Sequence, residues 1–124
     1  MRRQPVKRTV RGRIQEHDDL FQGIIRIARE NRCMHARITG SGTVRSATLV
    51  TYDQKSMTHS EVVVPEPMEI LSMYGTVTER DGEPLPHVHL VLSDQHGNGK
   101  GGHLLPGSTP VVDCEIVLEP FIKD

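Results

Sequence analysis

Four histidines stand close together late in the chain, in residues 85–105, LPHVHLVLSDQHGNGKGGHLL, and three of them, His87, His89 and His103, flank a loop. A neutral imidazole is a good ligand for zinc and its neighbours. In a strand, side chains two apart point to the same side, so His87 and His89 share a face if HVHLVLS is a strand. The connection that follows is rich in Gly, Asp and Asn, and Gly97 can take the left-handed backbone that closes a three-residue loop over 95–97. Asp94 then lies opposite Asn98, and His89 lies opposite His103. A shift of two residues either way keeps all three histidines on one face, whereas a shift of one puts His103 on the other. Opposed residues have Cβ atoms about 4.5–5.5 Å apart, close enough for imidazoles to share an ion. Such a three-His zinc site leaves a fourth position for water or substrate. The competing reading is a set of half-buried, hydrogen-bonded structural histidines. Gly101 and Gly102, which permit close backbone approach just before His103, favour the metal. His96 belongs to the loop tip, and His17, His35 and His59 are scattered and read as surface or packing residues.

An enzyme built on that ion needs an acid or base and a group to hold substrate. Glu69 and Glu83 are the candidate catalytic carboxylates, with Glu61 and Glu115 as further ones on strands. Arg37 and Arg45 are candidates to pair with a substrate carboxylate. The chain has no nucleophile motif, phosphate loop or nucleotide fingerprint. Any reaction would be metal-assisted lyase or hydrolase chemistry on a small carboxylate-type substrate. A different activity is suggested by the first thirteen residues, MRRQPVKRTVRGR, which contain no acid. Arg11-Gly12-Arg13 is similar to the core of an AT-hook, which lays arginines into the minor groove of DNA. Ile14 stands where that motif continues with proline. The alternative is a basic, frayed terminus leading into a first strand around 7–14.

Composition narrows the choice. At 124 residues the chain makes one domain, 14–124, preceded by the basic arm 1–13. Two Phe, two Tyr and no Trp leave the core to aliphatic residues and give no platform for stacking bases. The net charge of −1 argues neither for nor against nucleic acid. Cys33 and Cys114 lack metal-type spacing and read as reduced, buried residues of a cytoplasmic protein. No apolar run is long enough to cross a membrane or to form a signal peptide.

The positioning elements follow from periodicity. Leu20, Phe21, Ile24, Ile25, Ile27 and Ala28 form an apolar stripe at helical spacing, predicting a helix over 19–31. Asp19 and Gln22 suit a capping box at its start. Strands are predicted over 35–39, 43–52, 58–64, 68–78 and 111–118, beside the histidine hairpin. Gly40-Ser41-Gly42 reads as a tight turn and Gly75 as a bulge or bend. The prediction is an α+β domain with an antiparallel sheet of about seven strands packed against one main helix.

Four segments in order, GSGTVRSATL, PMEILSMYGTV, DGEPLPHVHLVLSDQHGNGKGGHLLPG and CEIVL, resemble the PPC domain, named for plants and prokaryotes. The resemblance runs from about Leu20 to Leu118. It implies a single antiparallel sheet crossed by one helix and assembly as a homotrimer. It further implies zinc held by His87, His89 and His103, in a fold similar to that of acetolactate decarboxylase. In plants the domain follows AT-hooks, so DNA is a further implied partner, through Arg11 and Arg13 here.

Overall fold

Residues 8–121 are described in a computed structural model. In chain order they form β1 (Val10–Ile14), α1 (Leu20–Glu30), β2 (Ala36–Val44), β3 (Ala47–Asp53), β4 (Thr58–Val64), β5 (Met68–Arg80), β6 (Glu83–Ser93), β7 (Gly99–Leu104) and β8 (Val111–Pro120). The strands make one sheet in the order β1-β8-β2-β5-β6-β7-β3-β4. Every neighbouring pair is antiparallel.

The helix forms where the apolar stripe predicts it. Asp19 caps it, its carboxylate accepting from the Gln22 N–H at 3.1 Å. The same carboxylate also accepts from the Gly107 and Thr109 N–H groups, at 3.0 and 3.1 Å, tying the helix start to the β7–β8 connection. Leu20, Phe21, Ile24, Ile27 and Ala28 are buried against Ile14, Val88, Leu90, Ile116 and Leu118 in one core. The helix thus covers one face of the sheet. The alternate residues of each strand are left to the opposite face.

The sheet has eight strands among the described residues, where about seven are predicted. The first strand expected around 7–14 is present as β1, over 10–14. Val10 is half-buried and Ile14 fully so, and this alternation docks residues 10–14 onto β8 as an edge strand. Residues 1–7, with the rest of the predicted arm, lie outside the described residues. Gly40-Ser41-Gly42 is not a turn either. β2 runs straight through it to Val44, with a bulge, and the break before β3 falls at Arg45-Ser46. Gly42 has φ +134, and a Cβ there would sit 2.1 Å from the Asp113 carbonyl oxygen. The glycine therefore serves close packing of β2 between β5 and β8 rather than chain reversal. Gly75 is likewise in register, the β5 bulge lying between Ile70 and Ser72. A Cβ on Gly75 would meet the His87 carbonyl oxygen at 1.9 Å, so its absence lets β5 lie against the histidine strand.

Candidate metal centre

The histidine hairpin adopts the predicted register. Asp94 N–H donates to Asn98 O at 3.1 Å, Gly97 has φ +82, and His89 lies directly opposite His103. Pro84, Pro86, Val88, Leu90 and Leu92 of β6 are buried toward the helix side, which turns His87 and His89 outward on the other face. The His89 and His103 ring centroids are 4.2 Å apart, with the planes tilted by 54°. His87 lies two residues further along, opposite Thr76. All three side chains are exposed, and none hydrogen-bonds to another described residue. That removes the reading of half-buried, hydrogen-bonded histidines.

Partial burial lowers the His103 pKa, and repulsion from His89, His59 and His87 adds to the effect. His103 therefore stays neutral, with its lone pair available, below the pH at which an ordinary histidine protonates. In type and face the three donors fit a transition metal, and burial favours the neutral, ligating form of His103. As the side chains stand, however, no three His, Cys, Asp or Glu among the described residues are gathered around one point as ligands.

The sheet register ranks the other predicted residues by their distance from the histidines. Tyr74 lies opposite His89, and Thr39 opposite Tyr74. Arg37 lies opposite Thr76, on the same row as His87, about 10 Å away at the usual strand spacing. Its guanidinium has no partner among the described residues. Glu61 lies opposite Val50, which lies opposite His103, so Glu61 is on the His89–His103 row. The remaining predicted residues sit elsewhere. Glu69 is opposite Ser93, four residues and about 13 Å along the strand from His89. Glu83 accepts two hydrogen bonds from Arg29 of α1, at 2.6 and 3.2 Å. Arg45 donates to Glu16 at 2.8 Å. Arg13 is bidentate on Asp113 at 2.9 and 3.0 Å, and Arg11 pairs with Glu115 at 3.6 Å.

One neighbour escaped the sequence reading. His59 stands opposite Tyr52 with ring centroids 5.0 Å apart, and its charge contributes to the lowering at His103. Its alternation with Glu61 repeats the H-x-H logic on β4. The register that brings this face round depends on a turn in which Met57 takes φ +60, for which residue type gives no signal.

Solved structures share this architecture. A metal-containing protein of Archaeoglobus fulgidus is 34% identical, with a TM-score of 0.83 over 94% of this chain and 81% of that one. A plant- and prokaryote-conserved protein of Pyrococcus horikoshii is 26% identical, with a TM-score of 0.84 over 95% of this chain and 81% of its own. A candidate DNA-binding protein of Ralstonia eutropha is 25% identical, with a TM-score of 0.77 over 91% and 78%. Among curated proteins, the bifunctional protein GlmU of a Synechococcus strain is 33% identical over 106 residues. That match takes in 85% of this chain but only 16% of the length of GlmU. The family profile of the Plants and Prokaryotes Conserved (PCC) domain matches residues 1–122, and with the sheet order, the helix and the histidine hairpin in place, this chain belongs to that family.

Proposed function

We propose that this PCC-domain protein binds a divalent transition-metal ion, zinc in the first place, through His87, His89 and His103. The observation that carries the reading is the set of three exposed histidines on one sheet face with no hydrogen-bond partner among the described residues, two of them directly opposed. The metal content of the Archaeoglobus fulgidus relative supports it. When bound, the ion would lower the pKa of a bound water or polarise a carbonyl. Arg37 on the His87 row would hold the carboxylate of a small substrate, and Glu61 is the carboxylate on the His103 row.

We further propose that copies of the chain assemble as a homotrimer through this bare face. Leu71, Tyr74 and Val91 are 59%, 53% and 43% exposed beside the histidines, leaving apolar area for a partner copy to cover. Calorimetric titration of metal-free protein with zinc, beside light scattering, tests both points. Saturation near one ion per chain with a trimeric mass supports the reading, and affinity should fall below about pH 6.5 as imidazoles protonate. No heat of binding at neutral pH would remove it.

DNA binding is the second reading, favoured by the Ralstonia eutropha relative. The arginines expected to enter the minor groove are engaged here, Arg11 and Arg13 being paired with acids of β8. Removing residues 1–8 tests the arm without touching β1. Salt-sensitive DNA binding that survives the truncation would show that residues 1–8 are not the reader, and loss of it would support the arm.

A further inference from the structure

A cavity of about 410 Å³ opens beyond the C-terminal end of α1, where the connection into β2 approaches the start of β1 and the end of β8. Val10, Met34 and Pro120 give it apolar walls, and Arg8, Arg32 and His35 bring their basic groups to it. Among the described residues no carboxylate lines it. Five other arginines, Arg11, Arg13, Arg26, Arg29 and Arg45, are paired with acids. Arg8 and Arg32 have no partner among the described residues, so two like charges share one cavity with no described acid to pair with them.

Arg32 occupies a position that does not suit it. It follows the helix cap Asn31 with φ +52, the left-handed conformation in which glycine is the usual residue. An arginine there strains the backbone and places a guanidinium at the cavity. A cation finds little to bind. The carbonyls ending the helix are already used, Ile27 O by the Asn31 N–H and side-chain amide, Ala28 O by Cys33 N–H and Arg29 O by Arg32 N–H. The His35 carbonyl accepts from Phe121 N–H.

We infer that this cavity binds a small organic anion, with its phosphate or carboxylate head on Arg8 and Arg32 and its apolar body against Val10, Met34 and Pro120. Guanidinium groups recognise either head through paired N–H donors. The site shares no residue with the histidine face and stands whether or not a metal binds there.

The test uses the full chain, titrated separately with phenyl phosphate, benzoate and inorganic phosphate while amide resonances or heats of binding are followed. One of the two organic anions should saturate a single site, with inorganic phosphate weaker because it lacks the apolar body. Arg32→Gly is the informative variant, since glycine accepts the left-handed backbone and the fold is retained. It should melt no lower than wild type and weaken binding by about tenfold or more. Arg8→Gln should act in the same direction, and His89→Ala should bind as wild type does. Three outcomes overturn the inference: no probe saturates the wild type, Arg32→Gly binds as tightly as wild type, or His89→Ala abolishes binding and so moves the anion to the histidines.

Discussion

Gly75→Ala tests the link between the packing of β5 and the histidine strand. An added Cβ would lie 1.9 Å from the His87 carbonyl oxygen and 2.9 Å from both the His87 carbonyl carbon and Val88 Cα. All three are backbone atoms, so no flexible side chain can yield, and β5 and β6 must separate. Overpacking costs about 1–3 kcal/mol where side chains can adjust. Each ladder hydrogen bond lost beside Gly75 adds about 1 kcal/mol. The sum is roughly 3–5 kcal/mol, a large share of a total stability of about 5–15 kcal/mol. For a chain of this size the melting temperature should fall by about 10–20 °C. Gly82→Ala is the control. Nothing lies within 4 Å of its added Cβ, so only the φ of +81 opposes it, at about 1–2 kcal/mol. Urea unfolding of both variants measures the difference, and metal content read alongside reports whether His87 has moved. If Gly75→Ala unfolds within about 1 kcal/mol of Gly82→Ala, the account of β5–β6 contact is wrong.

Three further outcomes follow from the hydrogen bonds and ion pairs. Asp19→Ala leaves the Gln22, Gly107 and Thr109 N–H groups without their acceptor, and denaturant unfolding should show a loss of about 2–4 kcal/mol, more than a helix cap alone provides. Glu83→Gln removes only an exposed pair with Arg29, so stability should change by less than about 1 kcal/mol and zinc affinity not at all. A large loss of affinity would return Glu83 to the site. The Asp113 pKa is lowered, first by the hydrogen bond from Arg13 and then by its charge. A carboxylate whose folded pKa lies below its unfolded value of about 3.9 stabilises the fold above that pH and loses this contribution as pH falls through the folded value. The acid limb of the stability–pH curve should therefore flatten in Asp113→Asn, and an unchanged limb would show that the Arg13 pair contributes nothing.

The histidine hairpin was legible because its determinants are local. Alternation sets the face of His87 and His89, and a three-residue loop closed by Gly97 sets the partner of His103. The helix was legible for the same reason, from its stripe and its cap. Gly40, Gly42 and Gly75 were misread because a glycine that admits a neighbouring strand looks in sequence like one that bends the chain. The distinction depends on which strands come together, and β2 lies between β5 and β8, far from it in sequence. The functions of the charged residues were least legible. Glu83 and Arg45 have the chemistry of site residues, but Arg29 and Glu16 occupy them through contacts that arise only on folding. His59 was passed over for the converse reason, a single histidine brought to the site by a register that a Met57 turn controls.

The central claim is that three histidines on one face hold a metal. Elemental analysis of protein purified without a histidine tag, wild type beside His103→Ala, addresses it most directly. The account predicts about one zinc per chain in the wild type and a stoichiometric loss in the variant, with the fold intact by circular dichroism. A wild type that carries no metal and takes up none on dialysis against zinc, or a His103→Ala variant that keeps a full complement, would contradict it.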